Sequence, residues 1–327
     1  MRIVLALWCC AMTTAHAEVK VEKVAYGGWK NNVRISNGEV EVIATLDVGP
    51  RILVYRFVGG KNVLKEYPDQ LGKSGEKSWQ IRGGHRVWTA PEDLTRTYAL
   101  DNSAVQWKQV KPGVIRLTPP VDKPYGIQKE IDIHLGKKGS GVTVVNRITN
   151  VGKKSTKLAL WALTVMAPGG REIIPVPKYA PHPGGPGMAK SPEDYAPSHS
   201  MVMWPYFRFG DSRWKFGNKY IFLQQDAKKG PTKIGLSHDS WVGYLNGGTL
   251  FVKRFPYQKG KTYPDRGSNY ETFTNEDMLE MEVLSPLMTL KSGKKVELKE
   301  QWSLFKKVPA CKTEADVDKH VLPLLKK

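Results

Sequence analysis

Short segments in which apolar and polar residues alternate run through most of this 327-residue sequence. The clearest is residues 38–46, which precede the turn signal Gly49-Pro50. Alternation with a period of two is typical of half-buried strands, because successive side chains of a strand point to opposite faces. Well over a dozen such segments are separated by turn residues, and no repeat of propeller or solenoid length is present. The sequence therefore predicts an all-β fold.

Longer strands are predicted in the middle and near the end of the chain. Residues 126–135 and 142–150 are joined by a connection rich in glycine and lysine, as in a hairpin. Residues 157–166 are almost continuously apolar, which predicts a strand covered on both faces. Residues 278–284 and 295–305 are expected to pair with each other across a short turn.

Two segments leave alternatives open. Residues 167–200 hold many of the prolines and have no period, so they are predicted to form either a lid over a cleft or an inert excursion. The aromatic cluster in residues 203–216 fits either a core or a concave face that stacks on sugar rings. After Pro309, Thr313 and Asp316 resemble a helix start, which predicts a short C-terminal helix.

The first 17 residues have the features of a secretory signal. Arg2 supplies the positive start, residues 3–12 are an apolar run, and Ala15-His16-Ala17 fits a cleavage site. The apolar run is too short to span a membrane. We therefore expect residues 1–17 to be removed and residues 18–327 to form a single domain that is periplasmic or secreted, without membrane insertion.

Composition excludes several classes of protein. Cys9 and Cys10 lie in the predicted signal, so Cys311 alone remains, and neither an internal disulfide nor a cysteine-rich metal site is possible. The formal net charge is +19, but the lysine pairs are scattered over predicted loop tips. That layout favours solubility or weak attraction to an acidic polymer over binding of nucleic acid. Because metal, phosphate and serine-nucleophile motifs are missing, we expect no metal and no organic cofactor.

The first candidate site is the stretch Gly83-Gly84-His85-Arg86-Val87-Trp88. Paired glycines allow backbone to come close to a ligand. His85 can exchange protons near neutral pH, Arg86 offers a rigid fork of donors, and Trp88 can stack on a sugar face. The alternative is a tight turn whose histidine and arginine are merely solvated.

The second candidate site is a pair of carboxylates, Glu280 and Glu282. On a strand they point to the same face, about 6.5 to 7 Å apart. Neighbouring carboxylates disfavour ionising together, so one is expected to have a raised pKa while the other stays charged, as general acid–base chemistry requires. The alternative is a polar outer face opposite Leu279, Met281 and Val283.

Five segments, in this order, resemble exported proteins of the galactose mutarotase-like, or aldose 1-epimerase-like, superfamily. They are Val48-Gly49-Pro50-Arg51-Ile52, Gly84-His85-Arg86-Val87-Trp88, Asn269-Tyr270-Glu271-Thr272-Phe273-Thr274-Asn275, Met278-Leu279-Glu280-Met281-Glu282 and Glu300-Gln301-Trp302-Ser303-Leu304. The match spans nearly all of the chain after residue 17. The resemblance implies a large twisted antiparallel β-supersandwich with a sugar-binding cleft on one concave sheet.

The resemblance also implies roles for individual residues. In such proteins a glutamate on a late strand takes the proton from the anomeric hydroxyl, and a mid-chain histidine gives one to the ring oxygen. The glutamate would be Glu280 or Glu282, and the early sugar-holding pair would be His85 with Arg86 or Arg51. Further sugar contacts are expected from Trp88, Trp161, Glu271 and Asn275.

The mid-chain histidine has no clear counterpart. Trp161 stands where it is expected, and an indole cannot donate a proton in this sense. His85 is therefore the best available acid. The remaining candidates lie on a solvated strand face, in the long loop or at a turn: His134, His182, His199 and His238.

These patterns predict a carbohydrate-binding protein of the cell envelope. The enzyme hypothesis is interconversion of sugar anomers by glutamate and histidine. The alternatives are a non-catalytic binder of acidic glycans and a structural envelope protein. Hydrolysis also stays open, because retaining glycosidases use two carboxyl groups about 5 to 5.5 Å apart.

Overall fold

The computed structural model describes residues 18–185 and 187–326, so the predicted signal, residues 1–17, lies outside the described residues. The described chain forms strands β1 to β21, one 3₁₀ helix and two short α-helices. In chain order they are β1 Lys20–Tyr26, β2 Trp29–Ser36, β3 Val40–Thr45, β4 Arg51–Phe57, β5 His85–Ala90, β6 Gln106–Lys111, β7 Val114–Thr118, β8 Ile127–Leu135, β9 Val142–Asn150, β10 Thr156–Met166, β11 Arg171–Pro175, the 3₁₀ helix Pro192–Tyr195, β12 Met201–Met203, β13 Trp214–Phe216, β14 Tyr220–Gln224, β15 Thr232–Leu236, β16 Trp241–Asn246, β17 Thr249–Arg254, β18 Tyr270–Thr274, β19 Leu279–Leu284, β20 Met288–Leu290, β21 Lys295–Phe305, α1 Glu314–His320 and α2 Leu322–Leu325.

The strands form two large antiparallel sheets. Sheet I has the order β1-β2-β3-β4-β5-β10-β19-β18-β15-β12, with β20 also paired to β10. Sheet II has the order β13-β14-β11-β16-β17-β21-β9-β8-β7-β6. The architecture confirms the predicted all-β antiparallel sandwich.

β10 lies at the centre of sheet I and is buried on both faces, as its apolar sequence predicts. Leu160 and Ala162 belong to the main core between the sheets. Trp161 and Leu163 point the other way and belong to a second apolar cluster on the outer face. Period-two alternation therefore gives this one strand both a core face and a face on the opposite side of sheet I.

The predicted hairpin of residues 278–284 with 295–305 is wrong. β19 pairs with β10 and β18, whereas β21 pairs with β17 and β9 in the other sheet. The connection between them contains β20, which pairs with β10. Because that short strand fastens the connection to sheet I, the chain crosses between the sheets instead of turning back on itself.

The segment 167–200 is more ordered in structure than its sequence predicts. It contains β11, which pairs with β14 and β16, and the 3₁₀ helix Pro192–Tyr195.

The predicted C-terminal helix is present as α1, where the Thr313 hydroxyl accepts a hydrogen bond from Asp316 N at 3.2 Å. Val317 and Val321 pack against Ile173 of sheet II. Within the described ranges, no helix combines the length and the apolar character needed to cross a bilayer.

Candidate functional site

A cleft of about 220 Å³ lies on the outer face of sheet I. Its floor comes from neighbouring strands β5, β10 and β19, whose alternate residues face away from the core. Its lining consists of Trp79, Ile81, Arg86, Trp88, Glu92, Tyr98, Trp161, Leu163, Tyr206, Lys233, Phe273, Glu280 and Glu282. The structure thus brings together Arg86, Trp88, Trp161 and both predicted carboxylates.

Strand register explains why these side chains meet. Leu163 of β10 is opposite Arg86 on one side and Glu282 on the other. Trp161 is likewise opposite Trp88. Directly opposed residues of antiparallel strands share a face of the sheet. In one row of the cleft floor, Leu163 therefore lies between Arg86 on one side and Glu282 on the other.

Arg86 is fixed by an ion pair and by aromatic rings. Its Nη1 lies 2.9 Å from Glu280 Oε1, and both side chains are largely buried. The guanidinium carbon is 4.2 Å from the centre of the Trp88 ring and 5.2 Å from that of Trp79. Cation–π contacts of this kind hold a guanidinium plane in place. Glu280 therefore sits beside a fixed positive charge.

Lys233 on β15 supplies a second cation, which sequence reasoning missed. Its Nζ lies 2.9 Å from Glu282 Oε2 and 2.7 Å from Glu271 Oε2. It also lies 4.9 Å and 4.6 Å from the ring centres of Trp161 and Trp204. The available signal was a lysine inside the short β run Thr232-Lys233-Ile234. A charge in such a run is rarely buried without a partner.

The carboxylates near Lys233 hold protons more tightly than ordinary glutamates. Burial raises the pKa of Glu282, although Lys233 partly offsets this effect. Burial also raises the pKa of Glu271 well above its usual range. Burial alone would lower the pKa of Lys233, but Glu282 and Glu271 outweigh it and raise that pKa. Lys233 therefore stays charged, and burial favours the protonated forms of Glu271 and Glu282.

Glu282 is also held by a neutral donor. The Trp161 indole N–H donates to Glu282 Oε2 at 2.9 Å. The tryptophan at the position expected for a mid-chain histidine therefore positions a carboxylate. Glu271 is fully buried beside Lys233 and is absent from the cleft lining.

The expectation that His85 lines the cleft is corrected by the structure. His85 precedes Arg86 on β5, so it points to the opposite face and is completely buried between the sheets. Its Nδ1 lies 2.8 Å from Thr164 Oγ1, and its Nε2 lies 2.9 Å from Asn146 Oδ1. Burial lowers the pKa of His85 well below its usual range, and nearby Lys253 lowers it further.

The paired glycines before His85 approach protein backbone, not a ligand. A Cβ on Gly83 would lie 2.0 Å from Lys65 O, and one on Gly84 would lie 2.1 Å from Ile52 O. Both residues have positive φ angles. The glycines therefore allow two backbone segments to pass in contact where β5 begins.

Arg51 and Asn275 also lie outside the cleft. Arg51 is completely buried, and its guanidinium donates to Ile81 O and Gly83 O at 2.7 Å each and to Asp101 Oδ2 at 2.7 Å. It thus fastens the loop that precedes β5. Asn275 Oδ1 accepts from the backbone N–H groups of Asp277 and Met278, which closes the turn before β19.

No histidine in the described part of the chain lines the cleft. His134 is half-buried on β8 of sheet II, and His238 is buried with its Nε2 3.0 Å from Trp241 O. His182 and His199 are exposed in the long loop. Described residues of 176–200 are likewise absent from the cleft lining, so the lid interpretation gains no support.

The aromatic cluster divides between two environments. Tyr206 lines the cleft, and Trp204 stacks on Lys233. Trp214, in contrast, belongs to the main core. The core interpretation therefore applies to Trp214, whereas Tyr206 lies at the cleft, where stacking on a sugar stays a prediction. Within the described ranges, no group of three or more histidine, cysteine, aspartate or glutamate side chains is placed to hold a metal ion.

Comparison of the fold with solved structures places it in a known class. A galactose mutarotase-like protein from Lactobacillus casei superposes with a TM-score of 0.52 at 10% identity, over 84% of this chain and 100% of that one. A galactose mutarotase related enzyme from Lactobacillus acidophilus gives 0.50 at 9%, over 86% and 100%. A TPR-domain containing protein from Parabacteroides distasonis gives 0.55 at 15%, over 86% and 50%.

These similarities define the fold of the chain as galactose mutarotase-like, as the sequence resemblance implies. No protein-family model matches the sequence, and no similar sequence was found among curated proteins. At such low identity, the similarity concerns the fold alone, and function has to be argued from the site.

Proposed function

We propose that the protein binds a sugar ring in the cleft of sheet I and interconverts its anomers. The observation that carries this proposal is the unequal setting of two glutamates on one face of β19. Glu280 is paired with the Arg86 guanidinium at 2.9 Å, while burial raises the pKa of Glu282. One carboxyl group thus lies beside a fixed cation and its neighbour lies where burial favours the protonated form, and two such unequal settings suit the roles of base and acid.

The reaction needs two proton transfers. Glu280 takes the proton of the anomeric hydroxyl as Glu282 gives one to the ring oxygen, and the bond from the anomeric carbon to the ring oxygen breaks. The open-chain aldehyde rotates, and the reverse transfers close the ring on its other face. Atoms and protons balance, since each carboxyl group returns to its starting state.

The surrounding residues support this assignment. The raised pKa of Lys233 makes its ammonium group a poor proton donor, but its charge stabilises Glu282 after the proton has left. Of the two carboxyl groups that Lys233 contacts, Glu282 lines the cleft and Glu271 does not, so Glu282 is the one that can reach the sugar. Trp88 and Trp161 line the cleft, and the parts of their rings that reach it can contact the C–H groups of a sugar.

The charges of the cleft favour a neutral sugar over a uronate. Both cations that line it, Arg86 and Lys233, are already paired with carboxylates. An acidic sugar would have to compete with buried ion pairs and would bring a further negative charge toward Glu280 and Glu282. We also propose, from the leader-like residues 1–17, that the protein acts outside the cytoplasm.

A second candidate function is non-catalytic glycan binding. It is favoured by one observation: the described cleft residues include aromatic rings and hydrogen-bonding groups but no histidine. Binding needs only these rings and donors, whereas anomer interconversion needs both proton transfers. Acid–base catalysis contributes about 10² to 10⁴-fold per positioned group, so the two functions differ measurably.

The deciding experiment measures anomer exchange by NMR with freshly dissolved aldoses and purified protein lacking residues 1–17. The wild type is compared with Glu280→Gln, Glu282→Gln and the exposed control Glu276→Gln. Acceleration that either cleft substitution abolishes, and that the control keeps, supports the enzyme. Saturable binding of sugar without acceleration supports the binder, and the lack of both refutes the proposal.

A further inference from the structure

A second, larger groove adjoins the cleft. Its volume is about 900 Å³, and it shares two lining residues with the cleft, Trp79 and Tyr98. Its lining also includes Leu94, Leu100, Lys77, Lys123 and Tyr125. Binding sites for organic molecules of moderate size occupy about 300 to 1,000 Å³. The cleft is smaller than that range, whereas the groove lies within it.

Aromatic rings connect the two spaces without a break. The ring centres of Trp161 and Trp88 are 5.4 Å apart, and those of Trp88 and Trp79 are 4.8 Å apart. Tyr98 lies 4.9 Å from Trp88 and 5.6 Å from Trp79. These rings meet edge to face or tilted, and together they form a contiguous aromatic cluster that runs from the carboxylates on β19 to the groove.

The groove has an exposed apolar surface and a polar rim. Leu94 is 88% exposed and Leu100 is 51% exposed, although both are large apolar residues. Exposed apolar side chains gathered along one groove mark a binding surface more often than scattered ones do. Lys77 and Lys123 at the rim are exposed and can donate hydrogen bonds. Apolar faces bordered by donors match the alternating C–H and hydroxyl surfaces of a glycan chain.

We propose that the groove binds the continuation of an oligosaccharide whose reducing-end residue occupies the cleft. This inference rests on the proposed function. Because anomer interconversion needs a free anomeric hydroxyl, the residue beside Glu280 and Glu282 must be the reducing end. The glycan chain then leaves the cleft through another hydroxyl of that residue and follows Trp79 and Tyr98 into the groove.

The test compares monosaccharides with tetrasaccharides of the same sugar, using sets based on glucose, galactose, mannose and xylose. Anomer exchange and calorimetric binding are measured for the wild type, for Leu94→Ser combined with Tyr125→Ala, and for the exposed control Tyr179→Ala. We expect the wild type and the control to prefer one tetrasaccharide by about tenfold, since each added aromatic contact contributes a few-fold. The double variant should lose this preference and keep its activity toward the monosaccharide.

The outcomes separate the groove from the chemistry. Equal affinities and equal exchange rates for the monosaccharide and the tetrasaccharide would refute binding of a glycan chain in the groove, even if exchange is fast. A length preference in binding without exchange supports the groove and rejects the enzyme, and the lack of binding and exchange with every sugar rejects both. Reduction of the terminal residue to its alditol should weaken binding about tenfold, because it opens the ring that the cleft holds. If the alditol bound as tightly as the unreduced tetrasaccharide, the reducing end would not occupy the cleft, and the proposed orientation would be refuted.

Discussion

Lys233 Nζ lies 2.9 Å from Glu282 Oε2, although β15 and β19 are separated in sheet I by β18. The lysine reaches across β18 and pairs on the way with Glu271 at 2.7 Å. One ammonium group thus serves two buried carboxyl groups. Removal of one partner from a buried ion pair costs more than the pair contributes, because the remaining charge stays desolvated.

Lys233→Met should therefore destabilise the protein by about 3 to 5 kcal/mol, as measured by urea unfolding near pH 7. The exposed control Lys153→Met should change the free energy of unfolding by less than about 0.5 kcal/mol. Addition of Glu271→Gln to Lys233→Met should recover part of the loss, since it removes a buried carboxyl group that has lost its cationic partner. A double variant whose loss equals the sum of the single losses would show that the two side chains do not interact.

The pH dependence of anomer exchange should report the titration of Glu282, the proposed acid, and of Glu271 beside it. The proposed acid must be protonated, so the rate should fall as pH rises through the raised pKa of this pair. Glu271→Gln leaves Lys233 as the ion-pair partner of Glu282 alone, which favours the ionised form of Glu282 and should move the alkaline limb to lower pH. A limb that stays in place in this variant would assign the titration to another group.

Most of the fold follows from residue patterns that require no tertiary information. Alternation and turn residues identify β8, β9 and β10, and the capping residues Thr313 and Asp316 identify α1. Strand pairing is different, because it depends on partners far apart in sequence. The predicted pairing of residues 278–284 with 295–305 failed since pattern alone cannot show that β20 fastens the connection to β10.

The candidate site was only partly predictable for a related reason. Alternation places Glu280 and Glu282 on one face of a strand, but it cannot say which of His85 and Arg86 faces the cleft, since adjacent residues point to opposite sides. Lys233 was missed because its partners are Glu271 and Glu282, which β15 meets only in the folded sheet. Short sequence motifs carry no information about such contacts.

Glu172 should make the protein less stable as pH rises. It is fully buried, accepts hydrogen bonds from Tyr270 and from Thr272 Oγ1, the latter at 2.7 Å, and has its pKa raised by burial to about 7. A raised pKa in the folded state stabilises below the unfolded pKa of 4.5, and that contribution is lost as pH rises to about 7. The loss is about 3 kcal/mol.

The variant Glu172→Gln tests the predicted loss of stability with rising pH, because glutamine does not titrate. The variant should be less stable than the wild type near pH 5, since glutamine replaces one acceptor oxygen with a donor. The difference between the two free energies of unfolding should narrow by about 3 kcal/mol at pH 8. Urea unfolding at both pH values measures it, and a constant difference would mean that Glu172 has an ordinary pKa.

His85 should make the protein less stable as pH falls, which is the opposite of the effect expected for Glu172. Its pKa in the folded state is lowered, so it stabilises above the unfolded pKa of about 6.5, and the contribution is lost as pH falls. Below that value the wild type should lose about 1.4 kcal/mol per pH unit relative to His85→Gln. The exposed control His182→Gln should follow the wild type at every pH. If the free energies of unfolding of the wild type and His85→Gln differed by a constant amount at every pH, His85 would accept a proton as readily in the folded state as in the unfolded state.

The glycines before β5 allow a test of backbone contact with a matched control. Gly84 and Gly59 have nearly equal φ angles, +69° and +71°, but a Cβ on Gly84 would lie 2.1 Å from Ile52 O, whereas one on Gly59 would meet nothing within 4 Å. Gly59→Ala should therefore cost only the strain of a left-handed residue, about 1 to 2 kcal/mol. Gly84→Ala adds a clash with backbone and should cost more than about 4 kcal/mol in urea unfolding. Equal losses would mean that β4 and β5 move apart freely, which would also leave Arg86 and Trp88 without a fixed position in the cleft.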